Sequence, residues 1–127
     1  AVSPLQILMA VRWLKQVPIG IPPAPRIGHS TALLGGKLLI VYGGYDNTTY
    51  FADLHSLDTE QMMWSTVRVS GGQLSARAFH ACVVLQGEGK KLDQMLIFGG
   101  RAGPKKVNDI YILLQAPFRW SRPIVSE

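Results

Sequence analysis

The feature that most restricts what this chain can fold into is that it repeats itself. Trp13 is followed thirteen residues later by Arg26 and sixteen later by His29, and Trp64 is followed at the same offsets by Arg77 and His80, a period of 51 residues. A second set, Gly43, Gly44, Asp53, Leu54, Leu57 and Trp64, returns as Gly99, Gly100, Asp109, Ile110, Leu113 and Trp120 with every interval kept and a period of 56. The five extra residues fall between His80 and Gly99, where the polar stretch 86–93 reads as a lengthened turn. A period of this size marks stacked supersecondary units, each unable to bury its apolar surface alone, with insertions confined to loops.

The content of each unit points to strands. Segments 31–34, 37–42, 54–57 and 64–69 are short apolar or β-branched runs bounded by turn residues, and 78–85, 94–98, 109–114 and 119–121 repeat them. That gives four strands in about fifty residues, with no convincing helical period. The second strand of each unit, 38–42 or 95–98, is continuously apolar, which suits a strand covered on both faces. The glycine pair that follows it would weaken a strand, so its recurrence implies close backbone approach or a positive φ.

Composition narrows the setting. With 127 residues, 47% hydrophobic and 17% charged, the chain is one ordinary domain at most and can support a core. No apolar run reaches the roughly 18 to 20 residues of a membrane-spanning helix. The amino end, 1–14, has no basic stretch ahead of its apolar part and no small-residue cleavage site, so a secretory signal is not expected. The lone Cys82 excludes an intrachain disulfide framework and a zinc ribbon, and points to a reducing, cytoplasmic or nuclear setting. The net charge of +5 suits a nucleic acid, an anionic membrane or an acidic protein partner and does not choose among them, but the basic residues are scattered and no nucleic-acid reading motif accompanies them.

Arg-x-x-His, an apolar strand ending in Gly-Gly, an Asp-Leu or Asp-Ile nine residues on, and a Trp twenty residues after the second Gly together resemble kelch repeats. The match is carried by Arg26, His29, Gly43, Gly44, Asp53 and Trp64, then by Arg77, His80, Gly99, Gly100, Asp109 and Trp120, and the two units cover about 95 of the 127 residues. The resemblance implies an all-β fold: four-stranded antiparallel blades of a β-propeller, packed face to face around a channel. Residues 18–69 and 70–127 are then two blades, and 1–17, which keeps Trp13, the last strand or two of a preceding blade. Closed propellers need about four to eight blades, so these residues make an incomplete ring whose other blades come from a parent chain or another subunit. There are two departures: Phe79 occupies the place of Gly28, and Val2 stands where the Asp of the preceding segment would fall.

Chemistry of other kinds finds little support. His29 and His80 hold equivalent places without a local ligand cluster, so no metal or other cofactor is expected. Arg26 with Asp53, and Arg77 with Asp109, suit ion pairs that tie strands or blades. Cys82 lies in an apolar run, and Ser30, Ser65 and Ser121 lack a nucleophile elbow, so no catalytic residue is expected. Some kelch propellers are copper-radical oxidases, but a single cysteine without a Tyr/His ligand set argues against that function here.

Recognition is the better expectation, because antiparallel strands put the connections after strands two and four on one rim. There Tyr45, Asn47 and Tyr50 combine apolar area with hydrogen bonding, and Arg101, Lys105 and Lys106 offer positive charge to the carboxylate-rich peptide of an acidic protein partner or to a phosphate. The opposite rim, with Lys37, Glu60 and 88–93, is the competing surface. The sequence thus reads as a non-enzymatic interaction or scaffold module. The alternative is an accessory or substrate-recruiting propeller of a larger enzyme such as a ubiquitin ligase or phosphatase, and a metal-dependent propeller enzyme is the remote one.

Overall fold

The computed structural model describes residue 4 and residues 10–72 and 74–123. Eight strands form two separate four-stranded antiparallel sheets. The first is β1 (Ser30–Leu34), β2 (Leu38–Tyr42), β3 (Leu54–Asp58) and β4 (Met63–Thr66). The second is β5 (Ala81–Leu85), β6 (Gln94–Ala102), β7 (Lys105–Leu114) and β8 (Arg119–Ser121). Within each sheet the strands neighbour one another in chain order, which short hairpin connections dictate. The two periods of the sequence are therefore two four-stranded blades of an unclosed propeller. No helix among the described residues is long and apolar enough to cross a membrane.

The blades stack because their innermost strands bury opposite phases of the same alternation. In β1 the buried residues are Ser30, Ala32 and Leu34, whereas in β5 Cys82 and Val84 are the better covered ones. Shifted by the period, 82 and 84 correspond to 31 and 33, on the other face of the first sheet. One core thus forms between the two blades. Ala32, Leu34, Ile40, Tyr42 and Leu54 of the first face Met95, Ile97 and Leu113 of the second, with Leu74 from the connection and Trp120 against the edge of this cluster. The outer faces are left open: Leu33 on one side, and Val83, Leu85 and Phe98 on the other, are all exposed.

Before each blade the chain runs along the free edge of that blade's last strand. Ile19 forms a parallel bridge with Met63, and Ser70 an equivalent one with Arg119. An outer edge that would otherwise expose unpaired N–H and C=O groups is partly covered in both copies. The strand expected at 64–69 ends at Thr66, and the one expected from residue 78 begins only at Ala81. In both cases the missing residues belong to these inter-blade connections. The expected strands within 1–17 fall partly on residues outside the described set, and 11–17 pair with no strand among the described residues.

The largest departure is at residues 101–107, expected as a loop. There β6 and β7 continue past the glycine pair, joined only by Gly103 and Pro104, with Arg101 opposite Lys106 and Ala102 opposite Lys105. The register shifts between Phe98 and Gly100, and the bulge, with Gly99 at φ 68°, lets the ladder resume beyond the glycines.

Candidate functional site

The motif residues form one scaffold, built twice. Arg26 donates from both terminal guanidinium nitrogens to Asp53, Nη2 to Oδ2 at 3.0 Å, and from Nη1 to the Gly43 carbonyl at 3.0 Å. Arg77 does the same to Asp109, Nη2 to Oδ2 at 3.1 Å, and to the Gly99 carbonyl at 3.1 Å. Each arginine therefore ties the entry to its blade's first strand to the segment beginning the third, and caps the second strand's end. The pairs lie within a blade, which selects between the two arrangements the sequence allowed. Burial opposes the charge of Arg77, but the hydrogen bonds and attraction of Asp109 outweigh it and raise its pKa. The same hydrogen bonds hold Asp109 below the usual carboxylate range. For Asp53 burial pulls upward, yet hydrogen bonds from Arg26 and His55 leave its pKa lowered.

The seam between blades uses neighbouring residues. Gly44 N–H donates to the Arg77 carbonyl at 2.9 Å. The Tyr42 hydroxyl donates to the Ser75 carbonyl at 2.9 Å, and burial pushes that phenol's pKa up. His80 Nε2 lies 2.7 Å from Ser30 Oγ, and burial, reinforced by the Arg77 charge, lowers its pKa to about 4. The Tyr42 ring meets the Trp120 indole edge-on at 5.1 Å. At Gly43, φ is +71°, and a Cβ there would lie 2.6 Å from the Arg77 carbonyl oxygen. This is the close backbone approach that the recurring glycine pair implies. Cys82, half-buried beside the Thr31 carbonyl, has its thiol pKa raised by burial, the opposite of a reactive thiolate.

Above this scaffold the rim residues fall into matched positions. Ile27 exchanges backbone hydrogen bonds with Tyr45, at 2.9 and 2.8 Å, and Ala78 exchanges them with Arg101, also at 2.9 and 2.8 Å. Tyr45 bridges to Tyr50, and Arg101 pairs with Lys106 at the equivalent position of the second blade. One place in the repeat thus carries an aromatic pair in the first blade, with rings stacked at 4.5 Å, and a cationic pair in the second. Asp46 shapes the first loop by accepting from the N–H groups of Thr48 and Thr49 at 3.0 and 2.7 Å, and these bonds hold its carboxylate pKa down. Asn47 follows at φ 79° and lines a shallow recess with Pro25, Ile27 and Tyr45. Lys105 lies at the hairpin tip, paired across from Ala102, so its side chain leaves the opposite face of the ribbon from Arg101 and Lys106.

The competing rim is tied down. Asp93 accepts from Gly35 N–H of the first blade at 2.8 Å and from Gly87 N–H at 2.9 Å, and Lys37 pairs with Glu60 at 3.2 Å. The lengthened turn thus ends on a residue, Asp93, that clamps the two blades together. Three contributors were not singled out from the sequence for the parts they play here: Tyr42, Ser30 and Ile27. The repeat identifies their positions, but only the contact with the neighbouring blade or loop gives them a role.

Comparison with known proteins agrees with the two-blade fold. The family model described as "KLHDC2/KLHL20/DRC7 Kelch-repeats domain" matches residues 8–127. The chain is 35% identical over 106 residues to Kelch domain-containing protein 3 of Rattus norvegicus, covering 79% of this chain and 26% of that protein. It is 32% identical over 114 residues to Acyl-CoA-binding domain-containing protein 4 of Arabidopsis thaliana, covering 89% and 16%. It is 31% identical over 135 residues to Host cell factor 2 of Homo sapiens, covering 91% and 17%. The chain thus spans about a quarter or less of the length of these relatives.

Proposed function

Because this chain belongs to the kelch-repeat family, we propose that it is a non-enzymatic interaction segment of a propeller, recognising a protein partner through the rim that carries residues 45–50 and 101–106. The observation that carries this reading is the matched placement of Tyr45 and Tyr50 in one blade and Arg101 and Lys106 in the next, on backbone hydrogen bonds that repeat to within 0.1 Å. A rigid frame bearing different side chains at equivalent places is a binding surface that needs no ordering before it binds. Aromatic anchors supply affinity by desolvation, and cations set orientation and association rate for an acidic partner. The single cysteine, a half-buried free thiol, fits a reducing, intracellular setting.

The named relatives support a modular role without fixing it. Their printed names point to kelch domains, acyl-CoA binding and a host cell factor, and the stretch they share with this chain is a minor part of each. A role as the recruiting propeller of a larger enzyme is therefore the second reading. The double substitution Tyr45→Ala with Arg101→Ala in the complete protein tests the rim: partner recovery in a quantitative pull-down should fall at least about tenfold while the melting temperature holds. Undiminished recovery would count against this rim. Recovery of a ligase or phosphatase subunit on the same chain would favour the second reading.

A further inference from the structure

Phe79 departs from its counterpart in the first blade while keeping that residue's backbone. Its counterpart one period earlier is Gly28, and both have positive φ, 68° for the glycine and 62° for the phenylalanine. The position needs left-handed backbone because it turns the chain from the inter-blade connection into the innermost strand. Glycine enters that region without a steric penalty, whereas a bulky side chain there is a true outlier. Within these two blades the ring stays outside the shared core, and Phe79 is 59% exposed. Strain retained at a residue that contributes little to packing is the pattern of functional positions.

The surroundings hold the ring in place and give it a chemical context. Phe79 N–H donates to the Gly28 carbonyl at 2.8 Å. A Cβ on Gly28 would come within 2.8 Å of two ring carbons, so the ring lies flush over the one residue that admits it. On one flank is Ile27, itself 56% exposed and hydrogen-bonded to Tyr45. On the other is Ala78, whose backbone is bonded to Arg101. Arg101 and Lys106 face each other across the ladder, an unfavourable pairing of like charges. Among the described residues no carboxylate makes an ion pair with either.

We propose that Phe79 is the aromatic anchor of the rim, and that with Arg101 and Lys106 it binds an extended acidic peptide segment whose apolar side chain lies on the Phe79 ring and whose carboxylates meet the two cations. The assignment rests on the rim reading given above and adds its anchor and its ligand class. Preorganisation is the physical reason: two side-chain torsions are all the ring has to lose, and Gly28 already restricts them. A carboxylate also relieves the repulsion between Arg101 and Lys106 that the free protein bears.

The test uses the complete protein and two fluorescein-labelled hexapeptides, one alternating glutamate and leucine, the other lysine and leucine, followed by fluorescence anisotropy with melting temperatures in parallel. The acidic peptide should bind and the basic one should not. Phe79→Gly, which restores the residue of the first blade, should raise the acidic peptide's Kd at least about tenfold while the melting temperature holds or rises. Loss of binding together with a lower melting temperature would mean that the ring is structural and would overturn the anchor. If Phe79→Gly leaves Kd unchanged while Tyr45→Ala with Arg101→Ala raises it, the anchor fails and the rim survives. Equal binding of both peptides overturns the acidic ligand class. No binding of either up to about 1 mM, with pull-down of the native partner still sensitive to the rim substitutions, overturns the proposed ligand and leaves the rim reading standing.

Discussion

At the scale of single residues, the two arginines illustrate how burial sets the value of an ion pair. The Arg77 side chain is 1% exposed and its partner Asp109 21%, whereas Asp53, the partner of Arg26, is 36% exposed. Removing one member of a buried pair strands the other and a carbonyl besides. Arg77→Ala should therefore destabilise by about 3–5 kcal/mol, and Arg26→Ala by less, in urea denaturation followed by tryptophan fluorescence. His80 adds a pH dependence. Its pKa is lowered to about 4 from the ordinary 6.5, chiefly by burial, so the unfolded chain binds the proton more readily than the folded one. The stability it contributes is complete above about pH 6.5 and is lost as pH falls toward 4, on the order of 3 kcal/mol in all. Asp109, held low, adds its own loss at still lower pH. Urea midpoints measured from pH 7 to 4 should fall steeply for the wild type and less for His80→Phe; parallel slopes would sink the assignment.

At the scale of strands and turns, the same residue type has different consequences at different places. Gly43 and Gly36 both have positive φ, but a Cβ on Gly43 meets the Arg77 carbonyl oxygen and the His80 ring, at 2.6 and 2.9 Å, while one on Gly36 meets open space. Gly36→Ala should cost about 1–2 kcal/mol from the backbone alone, and Gly43→Ala clearly more because two blades must separate. Thermal unfolding of the pair checks the ranking. The tryptophans separate likewise. Trp120 packs on Tyr42 at the blade seam and joins the core, whereas Trp64, its counterpart, lies on the open outer face. Trp120→Ala should cost about 3 kcal/mol, the low end for a large aromatic because it is partly exposed, and Trp64→Ala less within these two blades. Sequence reasoning ranks the two alike, since it sees the repeat and not which neighbour is present.

At the scale of the whole molecule, the two sheets leave one apolar face open at each end. Phe98 stands where Tyr42 stands in the first blade, half-exposed instead of covered by a tryptophan. Open sheet faces of this kind promote association. As a separate 127-residue polypeptide, the chain should bind a hydrophobic dye and show a light-scattering mass that rises with concentration. Embedded among further blades it should do neither.

The repeat, the strands and the identity of the motif residues were all readable along the chain, because each follows from local spacing: alternation for strands, intervals for blades, glycine for left-handed turns. The pairing of Arg26 with Asp53 and of Arg77 with Asp109 was legible as a correspondence, since the same partners recur at the same offsets. Other features depend on groups far apart in sequence. That β6 and β7 run on through 101–107 as a ribbon, that Ser30 meets His80, and that Asp93 clamps Gly35 across the blades are decided by which surfaces come together when the sheets stack. The identity of a residue at a repeat position is local information. Whether that residue is buried, strained or presented to a partner is set by the neighbour it meets, and that only the tertiary structure supplies.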